Sequence, residues 1–262
     1  MNAAGSQTLG SEIAASVPMR LVRRSLPAGR RVYAVGDIHG RADLLSEMLE
    51  LIMADAARRP RSTVTVLFLG DYIDRGPDSR QVIEMLIRFG EAQQTICLMG
   101  NHEDAMLRFL ADPLDGAQWR GFGGLETLMS YGVEIDELRL GHGFGLARKA
   151  FLAAMPDRHK EFFLSLKFCE RIGGYYFCHA GVRPGVALEA QDPHDLIWIR
   201  DEFLYWPKDF GMTIVHGHTP VPQPELHDNR VNVDTGAFAT GRLTCAVIEA
   251  NEIGFLQTSP GI

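Results

Sequence analysis

Five short segments place glycine beside acids, imidazoles and an amide: GDIHG at 36–40, GDYIDRGP at 70–77, GNHE at 100–103, CHAG at 178–181 and HGHT at 216–219. Together they offer Asp37, His39, Asp71, Asn101, His179 and His218, a donor set of hard oxygens and borderline imidazoles. Such a set suits Mn²⁺, Fe or Zn rather than an iron–sulfur cluster or a soft structural site. A carboxylate between two ions can bridge them, and two ions about 3.5–4 Å apart clamp a displacement at phosphorus. Each ion lowers the pKa of bound water, so hydroxide becomes available near neutral pH. Taken singly, each segment has a plainer explanation. An Asp after a strand is usually a turn residue or a helix cap, and a His is usually a satisfied polar group. The recurrence of one pattern at successive strand ends argues for chemistry.

The first three segments each follow a short apolar run: RVYAV before Gly36, TVTVLFL before Gly70 and QTICLM before Gly100. Between them, ADLLSEMLELIMADAAR, SRQVIEMLIRF and EDAMLRFL carry apolar residues at helical spacing. Strand alternating with helix predicts an α/β fold with parallel strands. In open α/β sheets, ligands bind beyond the carboxyl ends of the strands, so the segments can converge on one edge. Strands return later as GYYFCHA, MTIVHG, RVNVDTG and LTCAVIEA. The stretch 112–170 breaks the rhythm with GFGG, YGVE and GHGFG between helical pieces, and is expected to be a helical insertion forming one wall of a cleft. Residues 1–28, rich in Ala, Ser and Gly, are expected to be a flexible tail, and 29–262 a single domain.

Composition excludes several classes. Apolar residues make up 46% and charged residues 23%, as in an ordinary globular protein. A net charge of −7 argues against a nucleic-acid binder acting through bulk charge. Arg20, Arg23, Arg24, Arg30 and Arg31 form a local basic run, expected to be solvated rather than a phosphate- or membrane-binding arm. Cys97, Cys169, Cys178 and Cys245 form no CxxC pair and read as reduced packing residues, which fits a cytoplasmic location. No signal peptide and no apolar run long enough for a membrane span is evident.

In this order, GDIHG, GDYIDRGP, GNHE, HAG and GHTP resemble the phosphoprotein phosphatase family of metallophosphoesterases, above all its small bacterial and bacteriophage members. The likeness spans roughly residues 32–240, and GDxxDRG followed by GNHE is a specific pattern. The resemblance implies the calcineurin-like fold, a central β-sandwich flanked by helices. It also implies two divalent ions, with Mn²⁺ favoured over Fe or Zn. Asp37 and His39 would hold the first ion, Asp71 would bridge, and Asn101, His179 and His218 would hold the second. His216 lies two residues before His218 and is expected to support the site rather than ligate.

His102 would be the general acid, oriented by Asp74. Arg75 would bind phosphate through its planar fork of donors. In DLIWIRDEF, the family's Trp-x-Arg ending nominates Arg200 as a second phosphate clamp, with Arg183 as a weaker rival. Asp234 and Thr235 are expected to be supporting residues.

The implied activity is hydrolysis of phosphoserine and phosphothreonine by direct attack of hydroxide from a dinuclear centre, with phosphoproteins or phosphopeptides as partners. The alternative is a dinucleoside polyphosphate hydrolase, such as one acting on diadenosine tetraphosphate. Those hydrolases commonly alter the DRG segment and carry GNHD, whereas this chain has Asp74 and Glu103, which favours the protein phosphatase. A non-catalytic metal-dependent interaction module is the third reading, and the full set of ligands and acid argues against it.

Overall fold

The computed structural model describes residues 18–59 and 62–259. Its strands are β1 (Arg20–Leu21), β2 (Arg30–Val35), β3 (Thr63–Phe68), β4 (Thr95–Cys97), β5 (Cys169–Ile172), β6 (Tyr175–Cys178), β7 (Thr213–His216), β8 (Glu225–Leu226), β9 (Arg230–Asn232), β10 (Thr244–Glu249) and β11 (Glu252–Gln257). They form two sheets, ordered β1-β11-β10-β2-β3-β4 and β5-β6-β7-β9-β8. In the first, β2, β3 and β4 run parallel. In the second, β6, β7 and β9 run parallel. The chain thus has the calcineurin-like α/β architecture of mixed sheets with flanking helices.

Alternation along the strands explains why the sheets stack. Val32 and Ala34 of β2, with Leu67 of β3 and Ala246 and Ile248 of β10, share one apolar cluster with Tyr175, Phe177, Val215 and Val231 of the second sheet. The neighbouring residues Tyr33, Val35, Val66 and Phe68 point the other way, into the helices. Both faces of the central strands are buried, so they appear as near-continuous apolar runs in the sequence.

The outer layer of the first sheet is made by α1 (Ala42–Ala57), α2 (Ser79–Ala92) and α3 (Asn101–Ala111). The stretch 112–170 folds as α4 (Gly116–Gly121), α5 (Gly124–Ser130), α6 (Asp136–Arg139), α7 (Phe144–Ala154) and α8 (Asp157–Ser165), and then enters β5. On the far face of the second sheet, Leu196, Ile199 and Phe203 from α9 (Pro193–Trp198), α10 (Asp201–Leu204) and their junction cover Tyr176, Cys178 and Ile214. A last short helix, α11 (Ala237–Thr240), precedes β10.

Two features differ from the sequence expectations. Residues 1–17 of the expected tail lie outside the described residues, but Arg20 and Leu21 pair with Ile253 and Glu252, and Leu26 is buried. Arg31, grouped above with solvated arginines, is fully buried. Its guanidinium binds Asp55 of α1, donates to Glu249 at 2.5 Å, and bonds the Tyr33 hydroxyl at 2.9 Å. Three partners make this burial tolerable, because an unpaired buried cation costs far more than the pairing returns. All four cysteines are free thiols, with Cys178 and Cys245 buried and Cys97 and Cys169 half-buried. Among the described residues, no helix is long and apolar enough to cross a membrane.

Candidate metal centre and active site

Each site residue sits just past a parallel strand. Asp37 and His39 follow β2, Asp71 follows β3, Asn101 and His102 follow β4, His179 follows β6, and His218 follows β7. Since the two sheets stack, these five ends meet at one edge. The backbone there is unusual. Of the six non-glycine residues with positive φ among those described, five are His39, Asp71, Asp74, Arg75 and His218. Each such residue costs about 1–3 kcal/mol and persists only where its surroundings dictate it.

Two groups of buried side chains could each hold an ion: His39, Asp71 and His102, and Asp71, His179 and His218. Asp71 belongs to both, the position a bridging carboxylate needs. Its Oδ2 lies 3.6 Å from His39 Nε2 and 3.4 Å from His179 Nε2. The imidazoles are pre-oriented by their other nitrogens. His39 Nδ1 donates to the Ile73 carbonyl and His179 Nδ1 to the Leu69 carbonyl, both at 2.9 Å, so each ring directs its Nε2 toward Asp71. Asn101 Oδ1 stands 3.0 Å from His179 Nε2 and 2.8 Å from His218 Nδ1. Asp37 lies beside this cluster, its carboxylate accepting the His218 backbone N–H at 3.2 Å.

The residues fit a divalent cation. Lone pairs converge on a buried carboxylate, and His218 Nε2 is buried with no partner among the described residues. The loops also approach too closely for any side chain. A Cβ on Gly100 would lie 2.2 Å from Asp71 Oδ1, and one on Gly217 would lie 2.1 Å from Asp37 Oδ1. Electrostatics agree. Burial alone would raise the Asp71 carboxyl, yet His179, His102 and His39 hold it well below the usual range. Burial opposes charge on His179 too, and Asp71 overrides it, raising the ring to about 9, so a cation binding here would have to displace the ring's proton. Burial and His102 push His39 down to about 3, so it stays neutral and ligand-competent. Burial and Asp234 raise the Asp37 carboxyl.

His102 is within reach of Asp71, with Nε2 3.8 Å from Oδ2, but its surroundings differ from those of the other rings. Nδ1 donates to Asp74 Oδ2 at 2.7 Å, and Nε2 receives an Arg75 guanidinium N–H at 3.1 Å. The guanidinium opposes positive charge at that nitrogen, whether from an ion or a proton, while the Asp74 carboxylate at Nδ1 favours the protonated ring. Burial lowers the tendency of His102 to charge, but Asp71 and Asp74 outweigh it and raise its pKa.

Asp74 is held from the insertion. Trp119 Nε1 donates to the same Oδ2 at 2.9 Å, and the Thr127 hydroxyl donates to Oδ1 at 2.6 Å. Neither partner has a local signal in the sequence, because both lie about 50 residues downstream on helices of the insertion. Glu103 was also missed as a working residue. Its Oε2 accepts N–H groups from Asp71 and Gly100 at 2.9 and 3.0 Å, and its Oε1 accepts those of Tyr72 and Ile73 at 2.8 and 3.3 Å. It therefore clamps the GDYID loop to the GNHE loop. The bond to Gly100 is the reach-back of a residue in the first turn of α3, a signal available in the sequence. Burial and Asp71 raise the Glu103 carboxyl to about 7.

The arginines are separated by their partners. Arg75 is exposed and packs its guanidinium 4.8 Å from the Phe238 ring. Arg200 is exposed and donates to Thr219 Oγ1 at 3.2 Å, next to His218. Arg183 is occupied by Asp195 at 2.5 and 2.6 Å and by Glu202 at 2.7 Å. His216 is fully buried, edge-on to Phe203 at 4.9 Å, and burial lowers it to about 3. Asp234 accepts the Gly236 N–H at 2.9 Å, and Thr235 bonds Thr244 at 2.8 Å, both inside the loop after β9.

The chain is similar to a bis(5'-nucleosyl)-tetraphosphatase PrpE (asymmetrical) of Anoxybacillus flavithermus, 29% identical over 236 residues, covering 80% of this chain and 87% of that one. It superposes on the crystal structure of a proposed diadenosine tetraphosphatase with TM-score 0.60 at 20% identity, covering 92% of this chain and 99% of that one. A cold-active protein-tyrosine phosphatase from a psychrophilic Shewanella superposes with TM-score 0.54 at 14% identity, covering 99% and 87%. At these identities the two structures speak to the fold alone.

These relatives correct one expectation. Phosphoproteins or phosphopeptides were expected as partners, but three bacterial relatives are named bis(5'-nucleosyl)-tetraphosphatases. The physical reason is now visible: the expectation rested on Asp74 and Glu103, and both are fully buried residues that brace His102 and the loops. A family model described as calcineurin-like phosphoesterase matches residues 30–245, and the chain belongs to that metallophosphoesterase family.

Proposed function

We propose that the chain hydrolyses dinucleoside polyphosphates, with diadenosine tetraphosphate as the representative substrate, using two divalent ions. The observation that carries this reading is the likeness to bis(5'-nucleosyl)-tetraphosphatases across 80% of the chain. An aromatic rim supports it. Phe122 lies 5.8 Å from His102, Phe238 lies 5.5 Å from His39, and Trp198 lies 6.2 Å from His218. Flat apolar faces beside a phosphate site suit nucleobases, which stack on aromatic rings.

Asp37, His39, Asp71, Asn101, His179 and His218 would hold the ions, and their oxygen and imidazole donors accept Mn²⁺, Fe or Zn. When bound, such ions supply Lewis-acid charge neutralisation for phosphoryl transfer. Arg75 and Arg200 orient the phosphate chain through charge-assisted hydrogen bonds. His102, held by Asp74, supplies a proton to the departing oxygen. A nucleotide leaving from an anhydride needs that proton less than an alkoxide does. His102→Asn is therefore expected to slow alkyl phosphate hydrolysis far more than dinucleotide hydrolysis. The deciding experiment compares kcat/KM for diadenosine tetraphosphate and a phosphopeptide with Mn²⁺, resolving products by anion exchange. Preference for the dinucleotide, with AMP and ATP as products, is expected. Preference for the phosphopeptide would overturn the reading.

A further inference from the structure

A cleft of about 210 Å³ opens beside the metal centre, between α3, α4 and α9. Its walls include Asp104, Ala105, Arg108, Gln118, Trp119 and Trp198. Sites that enclose a whole drug-sized ligand measure roughly 300–1,000 Å³. This one has room for a single flat heterocycle, with the attached sugar and phosphates outside.

The walls have the chemistry of a base site. Trp198 is half-buried, and the His194 ring, also on the cleft wall, lies against it in an offset stack with centroids 6.2 Å apart and planes at 24°. Trp119 is fixed between Phe109 and Phe151, with centroid distances of 5.0 and 5.9 Å, so it closes the cleft as a rigid wall. Gln118 is exposed and brings an amide that can both donate and accept, the pairing that reads adenine's N6 and N7. Asp104 brings a carboxylate acceptor suited to an exocyclic amine, and Arg108 Nε steadies it at 2.8 Å.

Position ties the cleft to the reaction. Trp198 stands edge-on to the metal-site residue His218, and Asp104 lies one residue beyond Glu103 on the helix that carries Asn101 and His102. A base held here leaves its phosphates directed at the cluster around Asp71. We propose that this cleft is an adenine-preferring nucleobase subsite, with Trp198 as the stacking face and Gln118 and Asp104 reading the base edge. It deepens, and for its natural substrate rests on, the dinucleoside polyphosphate reading, but its binding test does not depend on turnover.

The test is calorimetric titration of the full Mn²⁺-loaded chain with AMP and with ribose 5-phosphate, which differ only in the base. AMP is expected to bind about tenfold more tightly, the lower end of what stacking one base on an aromatic face provides. Gln118→Ala and Trp198→Leu are each expected to cut that ratio to about threefold or less. Gln118 is exposed, so its variant keeps the test decisive should the Trp198 variant misfold. Equal binding of the two ligands by the unaltered chain overturns the subsite. A full AMP preference surviving in Gln118→Ala and in folded Trp198→Leu overturns its placement in this cleft. If the preference is present and both variants lose it, yet diadenosine tetraphosphate is not hydrolysed, the subsite stands and the substrate reading falls.

Discussion

Replacing Glu103 by Gln tests whether one buried carboxylate holds the catalytic loops together. The substitution keeps the side chain's shape. It turns one carboxylate oxygen into an NH₂ group facing backbone donors. Each oxygen of Glu103 accepts two N–H groups, so two of four bonds are lost whichever way the amide turns. Hydrogen bonds to charged groups contribute about 1.5–3 kcal/mol each, so the loss is about 3–6 kcal/mol. For a chain of this size 1 kcal/mol moves the unfolding midpoint by about 2–4 °C, which places the expected drop between about 6 and 24 °C. The assay is thermal unfolding by circular dichroism at a pH well above the Glu103 value of about 7, where the carboxylate is ionised, and in the presence of a chelator, so that metal binding does not contribute. A drop smaller than about 2 °C would refute the clamp, since it corresponds to less than about 1 kcal/mol.

Other outcomes follow from the same geometry. Trp119→Phe removes the N–H that shares Asp74 Oδ2 with His102, and should lower kcat about tenfold on esters of poor leaving groups; a loss independent of leaving group would remove Trp119 from positioning the acid. Arg31→Met leaves Asp55 buried without its cation, and urea unfolding should show about 3–5 kcal/mol of destabilisation, much of it recovered by adding Asp55→Leu. Glu249 is pushed up by burial, but Ser62, Arg31 and Arg59 outweigh this and hold it below its ordinary 4.5. Its stabilisation is therefore full above that value and is lost as pH falls through the depressed folded value, so Glu249→Gln should flatten the acid limb of a stability–pH curve measured by urea unfolding. Asp71→Asn should reduce bound metal measured by elemental analysis, and unchanged metal content would remove Asp71 from the bridging position.

The α/β framework was legible because its signals are local. RVYAV and most of TVTVLFL are buried on both faces, and QTICLM, the half-buried edge strand, keeps enough apolar residues to read as a run; the polar residues after each run mark the sheet edge. The proposed metal ligands stood out in the sequence for the same reason, since each follows close behind a strand. Contacts that depend on distant packing were not. Trp119 and Thr127 reach Asp74 only because the insertion folds back over α2 and α3, and nothing near either residue announces it. Arg31 looked like one of several solvated arginines, and only the approach of Asp55 and Glu249 from other elements makes a buried site for it. Asp74 and Glu103 were visible, but their directions were not. Both turn inward, so they brace the machinery without touching a substrate, and substrate class could not be read from them.

The arrangement around Asp71 supports everything proposed for the chain, and anomalous diffraction from crystals grown with Mn²⁺ tests it most directly. Two peaks are expected, one on each side of Asp71 and both within coordination distance of its carboxylate. A single peak, or peaks that leave Asp71 or His218 uncoordinated, would contradict the dinuclear centre.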